Sequence, residues 1–117
     1  MASKAELLAL ASACEQAREG GLFSLDTQIA YALDMPLEGL AKPYTASLDA
    51  AMSLVPEDEC WRVGHDADDP SGFMAQCSYT PGPGRMGFVT GSGITAALAL
   101  TAAALRARAA TMGGSDD

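Results

Sequence analysis

The sequence predicts an α+β domain: a short three-stranded antiparallel sheet packed by helices in the order α-α-α-β-β-β-α, an α/β/α sandwich-like arrangement. Three observations carry this expectation. Apolar residues recur at helical spacing from Leu7 to Val55 and again from Leu98 to Met112. Between Cys60 and Thr90 the period drops to two, as for strands exposed on one face. Turn-forming clusters, Asp66–Gly72 and Thr80–Gly84, separate the alternating runs.

Each element has its own signals. Ser3 with Glu6 three residues on matches a capping box, which opens a helix over about 4–19. Leu7, Leu10, Ala11, Cys14 and Ala17 form its stripe, and Gly20-Gly21 ends it. Ser24 is placed to cap a second helix over about 25–33, with Asp26 complementing its dipole and Pro36 beyond its end. A third helix runs from Thr45, read as its cap, to Val55, where Pro56 stops it. Leu48, Ala51, Met52 and Val55 form its buried face, expected to be the scaffold for the sheet and the last helix.

The strands follow. Cys60–His65 places Trp61, Val63 and His65 on one face. Phe73–Tyr79 places Phe73, Ala75, Cys77 and Tyr79 together. A weaker third strand, Arg85–Thr90, rests on Met86, Phe88 and Val89, and Gly91-Ser92-Gly93 is expected to break it as a connector. Thr95 then caps a last helix over about 96–111, with a seam of Leu98, Ala102, Leu105, Ala109 and Met112 and two arginines near its C-terminal end. A single domain over residues 1–112 is expected, with 113–117 a flexible acidic tail.

Composition narrows the function. The 117 residues carry 15 Asp and Glu against 7 Lys and Arg, a net charge of −8. That sign disfavours gripping a phosphate backbone and favours a basic protein surface. Three cysteines at wide spacing, with one histidine, fit reduced thiols in a cytoplasm rather than disulfides or a zinc site. No apolar run is long and uncharged enough for a membrane span. No metal or other cofactor is expected.

The motifs that touch on chemistry are weak. Gly82-Pro83-Gly84-Arg85-Met86-Gly87 fits the glycine pattern of dinucleotide sites, but a strand rather than a helix follows it, which reads as a hairpin turn. Gly91-Ser92-Gly93 runs toward a helix N-terminus without a P-loop lysine. His65, Asp66, Asp68 and Asp69 lack the offsets of a calcium loop. No nucleophile has a companion base in a recognisable context, so an enzyme is not expected. The acids carry more weight as a binding surface. Glu57, Asp58 and Glu59 precede the first strand and Asp66, Asp68 and Asp69 follow it, two acidic spots roughly 20 Å apart.

Two segments together resemble a known family. Tyr44-Thr45-Ala46-Ser47-Leu48-Asp49-Ala50-Ala51-Met52-Ser53-Leu54-Val55-Pro56-Glu57, followed shortly by Trp61, is the first. The second is Thr95-Ala96-Ala97-Leu98-Ala99-Leu100 running through Thr101 into Ala102-Ala103-Ala104-Leu105-Arg106-Ala107-Arg108-Ala109-Ala110. Both resemble the phage ABA sandwich domain family of small bacteriophage and prophage proteins, with the likeness covering about residues 24–110. The chain departs from the family pattern at Ala96, where proline is usual, at Glu59-Cys60, and in the middle from Pro70 to Gly87. The resemblance implies a fold and a phage origin, with no catalytic or binding residue to carry over.

The expected function is therefore a non-enzymatic phage or prophage accessory protein, acting in the cytoplasm of a bacterial host by binding a host or phage protein with a basic surface. Its concrete version is inhibition of a host defence complex, as an anti-CRISPR protein does. Two alternatives stay open: a structural or assembly accessory of the phage particle, and a small nucleotide-binding enzyme. A homodimer also stays open.

Overall fold

The computed structural model describes residues 3–18, 23–33, 42–56, 59–65, 68, 72–82 and 84–111. Helix α1 (Lys4–Gln16) starts where Ser3 Oγ accepts the Glu6 N–H at 3.1 Å, and it buries Leu7, Leu10, Ala11 and Cys14. Helix α2 (Phe23–Ala32) begins two residues earlier than its sequence signals indicate. Ser24 therefore lies inside the first turn, where its hydroxyl accepts a Gln28 amide N–H at 3.3 Å. Asp26 does more than complement a dipole. It is buried, at 4% exposure, and its Oδ1 accepts the backbone N–H of Thr45 at 2.8 Å.

That contact reshapes the third helix. Thr45 lies in a turn with Tyr44 and Ala46, and the cap of α3 (Leu48–Met52) is Ser47, whose Oγ accepts the Ala50 N–H at 3.3 Å. Beyond Met52 the N–H groups of Ser53, Leu54 and Val55 bond to carbonyls three residues back. This tighter winding turns Leu54 fully inward, whereas Met52 faces solvent at 39% exposure. Leu54, not Met52, is the buried anchor of this segment.

Strands β1 (Trp61–His65), β2 (Phe73–Gly82) and β3 (Arg85–Gly93) form an antiparallel meander in the order β1-β2-β3. The third strand extends through Gly91-Ser92-Gly93, where the sequence predicts a connector. The register lines up Trp61, Cys77 and Val89 in one row and Val63, Ala75 and Gly91 in the next. Both rows point inward, and in the second the side chain shrinks from Val63 to nothing at Gly91. A Cβ at Gly91 would lie 2.5 Å from Ala103 N and 2.6 Å from Ala99 O, both backbone atoms of the last helix. The glycines that read locally as strand breakers are where that helix presses on the sheet.

Helix α4 (Ala96–Ala110), capped by Thr95 Oγ1 on the Leu98 N–H at 3.1 Å, is the organising element. Every residue from Ala97 to Leu105 is buried. Of the expected seam, Leu98, Ala102, Leu105 and Ala109 pack with Leu7, Leu10, Ile29 and Leu54, while Met112 and the expected tail 113–117 lie outside the described residues. A second seam of Ala99, Leu100, Ala103 and Ala107 packs with Ala75 and Cys77, flanked by Trp61, Val63 and Val89. A helix apolar all round must be covered on both sides. The layers thus run sheet, α4, then α1 with α2, and α3 lies against α4. The scaffold role expected of the Leu48–Val55 face belongs to α4.

Polar stitches fix the layers. Thr101 Oγ1 donates to Tyr44 O at 3.0 Å and Arg108 Nε–H donates to Leu54 O at 2.6 Å, tying the Tyr44–Leu54 segment to α4. Among the described residues, no helix is long and apolar enough to cross a membrane.

Candidate functional site

Strand alternation decides what the sheet shows on its other face. With Trp61, Val63, Ala75, Cys77 and Val89 turned toward α4, the intervening residues Arg62, Met74, Gln76, Met86, Phe88 and Thr90 point away from it. No described helix covers them. Met74, Met86 and Phe88 are 42%, 68% and 59% exposed. Arg62 is also exposed, and its Nε–H donates to Gln76 Oε1 at 3.0 Å across the strands. Beside them lies an apolar depression lined by Cys60, Trp61, Arg62, Gln76 and Phe88.

Two of the six acids singled out in the sequence lie within the described residues. Glu59 is half-buried and accepts the Ser78 hydroxyl at 2.6 Å, while Ser78 Oγ accepts the Cys60 N–H at 2.9 Å. Ser78 belongs to the row facing away from α4, so this bond holds Glu59 at the end of the outer face. Asp68 is exposed. Glu57, Asp58, Asp66 and Asp69 lie outside the described residues.

Sequence reasoning missed Met74, Met86 and Phe88 as surface residues. Of the three apolar residues that predict the third strand, Met86, Phe88 and Val89, Val89 alone turns inward. The signal was present: Gly87, Val89 and Gly91 alternate with Met86, Phe88 and Thr90, so a strand crossed closely by a helix on one face displays its larger side chains on the other.

A second polar cluster lies at the sheet edge. Arg106 holds both oxygens of the Glu15 carboxylate, with Nη2 to Oε1 at 2.6 Å. Glu15 Oε2 also accepts the Ser92 N–H at 3.0 Å and the Ser92 hydroxyl at 3.3 Å, and Arg106 donates to Thr90 O at 2.9 Å. Burial pulls the Glu15 pKa up, but the hydrogen bonds from Arg106 and Ser92 outweigh it and hold the group below the usual glutamate value. The same pairing raises Arg106. Because Ser92 N–H and Thr90 C=O are both taken by side chains, this half of the β3 edge offers no template for another strand.

The thiols divide by position. Burial pushes Cys14 up to about 12 and Cys77 up to about 11, so both are inert core groups at neutral pH, while Cys60 is exposed. Among the described residues, no three His, Cys, Asp or Glu side chains converge as metal ligands, and no buried side-chain nitrogen or oxygen lacks a hydrogen-bond partner. The Gly82–Gly87 string is the β2–β3 hairpin, with Gly84 at φ 73° and Gly82 paired with Arg85. At the start of α4 the Thr95 hydroxyl takes the Leu98 N–H, and just before it Glu15 takes that of Ser92.

Compared with protein-family models, curated proteins and solved structures, the chain matches none.

Proposed function

We propose that the chain is a small non-enzymatic accessory protein of a bacteriophage or prophage that acts in the bacterial cytoplasm by binding another protein, its concrete role being inhibition of a host defence complex such as a CRISPR effector. The observation that carries the binding reading is the sheet face that no described helix covers, where Met74, Met86 and Phe88 are exposed. Met86 and Phe88 stand together on β3, with Met74 beyond the Gln76–Thr90 row, and large apolar side chains exposed on one face of a small domain mark interaction surfaces. The net charge of −8 supports a partner with a basic surface, since complementary charge speeds encounter. The phage assignment rests on the resemblance of Tyr44–Glu57 and Thr95–Ala110 to the phage ABA sandwich domain family. The fold is consistent with a structural use of both blocks, because Thr101 donates to Tyr44 O and Arg108 to Leu54 O.

The test is phage plating on a bacterium whose CRISPR system restricts that phage. Expression of the chain is expected to raise plating efficiency toward that on an undefended strain. Unchanged plating across defended strains, with the protein present at high level, overturns the inhibitor reading.

A further inference from the structure

We infer that the free edge of β1 pairs antiparallel with the same edge of a second copy of the chain, joining two three-stranded sheets into one continuous sheet across a two-fold axis. Strand parity shows which groups are free. Ser78 N–H donates to Cys60 O at 2.9 Å, and Arg62 and Gly64 pair with Gln76 and Met74 in the same phase. Trp61, Val63 and His65 therefore turn their N–H and C=O groups away from β2. Among the described residues, none of these edge groups has a hydrogen-bond partner. The other edge of the sheet is different. By the same alternation Thr90 and Ser92 face outward on β3, and there Arg106 takes the carbonyl and Glu15 the N–H. The fold closes one edge over these residues and leaves the other open.

The open edge is complementary to itself. Two copies of β1 paired about Val63 place Val63 against Val63 and Trp61 against His65, all of them residues whose backbone groups point outward. Every free N–H then meets a free C=O of the other copy. On the inner face the pairing puts Trp61 beside a His65 ring that already stacks on Phe73 at 4.7 Å, so an aromatic row crosses the junction on each side of the axis. On the outer face Arg62 of one copy lies opposite Gly64 of the other. Gly64 is exposed and a Cβ there would meet nothing within 4 Å, which leaves room for the arginine stem. Centring the pair on Arg62 instead would set two arginines face to face. Pairing covers the edge alone, so Met86 and Phe88, on the sheet face that carries the binding reading, stay exposed.

The experiment is sedimentation of the intact protein over concentrations reaching the millimolar range, at low and high salt, with Trp61 emission followed alongside. A monomer–dimer equilibrium is expected. Salt is expected to strengthen it, because each copy carries −8 and screening relieves the repulsion between them. Val63→Pro removes an edge N–H that β2 does not use and is expected to weaken the dimer roughly tenfold or more. Gly64→Lys, where the fold offers the side chain open space, sets a second cation opposite Arg62 and is expected to weaken the dimer as well, even though it lowers the net negative charge. Gly64→Lys carries the test alone should Val63→Pro melt below the wild type. A monomer at every concentration overturns the inference, and so does a dimer that Gly64→Lys leaves unchanged. A dimer dispersed by Phe88→Ser but not by Gly64→Lys also overturns it, in favour of the sheet face.

Discussion

Gly91→Ala tests the packing that the whole fold depends on. The added methyl would sit 2.5 Å from Ala103 N, 2.6 Å from Ala99 O and 2.9 Å from Ala102 Cβ. Comfortable carbon contacts begin near 3.5 Å, so α4 and β3 must part by about 1 Å. The first two atoms are backbone and have no rotamer to change. Nor can α4 retreat freely, since Leu98 and Leu105 are fully buried against the α1 and α2 side and Arg106 is tied to Glu15. Overpacking of this kind costs about 1–3 kcal/mol, and backbone opposition puts it near the upper value. Removing a glycine from the unfolded chain returns about 0.4–1 kcal/mol. The net loss is about 2 kcal/mol, a fall in Tm of about 8 °C for a domain of this size. Calorimetry on Gly91→Ala beside Gly64→Ala provides the comparison, because a Cβ at Gly64 meets nothing within 4 Å. Gly93→Ala, facing Leu98 Cβ at 2.8 Å and Ala99 N at 2.9 Å, is expected to fall between them. Equal melting temperatures for Gly91→Ala and Gly64→Ala would refute the reasoning.

Three further outcomes follow from the bonds described. The Glu15 pKa is lower folded than unfolded, so its contribution is fully present above the ordinary value of 4.5 and is lost as pH falls through the folded value; Glu15→Gln should flatten the acid limb of a stability–pH curve measured by urea unfolding. Asp26→Ala removes the buried carboxylate that accepts the Thr45 N–H and should cost about 2 kcal/mol in the same assay, with Asp26→Asn recovering part of the loss. A thiol reagent at neutral pH should label Cys60 in the native protein and reach Cys14 and Cys77 only on unfolding, as counted by mass spectrometry.

What was legible in the sequence was whatever local chemistry decides. The Ser3 and Thr95 caps, the stripe of α1 and the alternation of β2 were all readable, because a cap or a period is written within a few residues of where it acts. The misreadings share one cause, which is contact at long range. Thr45 is drawn out of α3 by Asp26, nineteen positions away. Gly91 and Gly93 have low strand propensity, and only the approach of α4 shows why they sit in β3. The Glu15–Arg106 pair spans 91 positions, and nothing near either residue announces the other. The candidate site was half legible: the acids around β1 stand out as charge, but the direction of Met86 and Phe88 depends on register with Cys77 and Ser78.

The central claim is that the sheet face bearing Met74, Met86 and Phe88, which no described helix covers, is the working surface. Its most direct test is affinity capture from a defended bacterial host with two baits side by side, the wild type and the Met86→Ser/Phe88→Ser double variant, each confirmed to melt alike. The account predicts one protein retained stoichiometrically by the wild type, released by high salt, and absent from the variant. The same protein retained equally by both baits would contradict it.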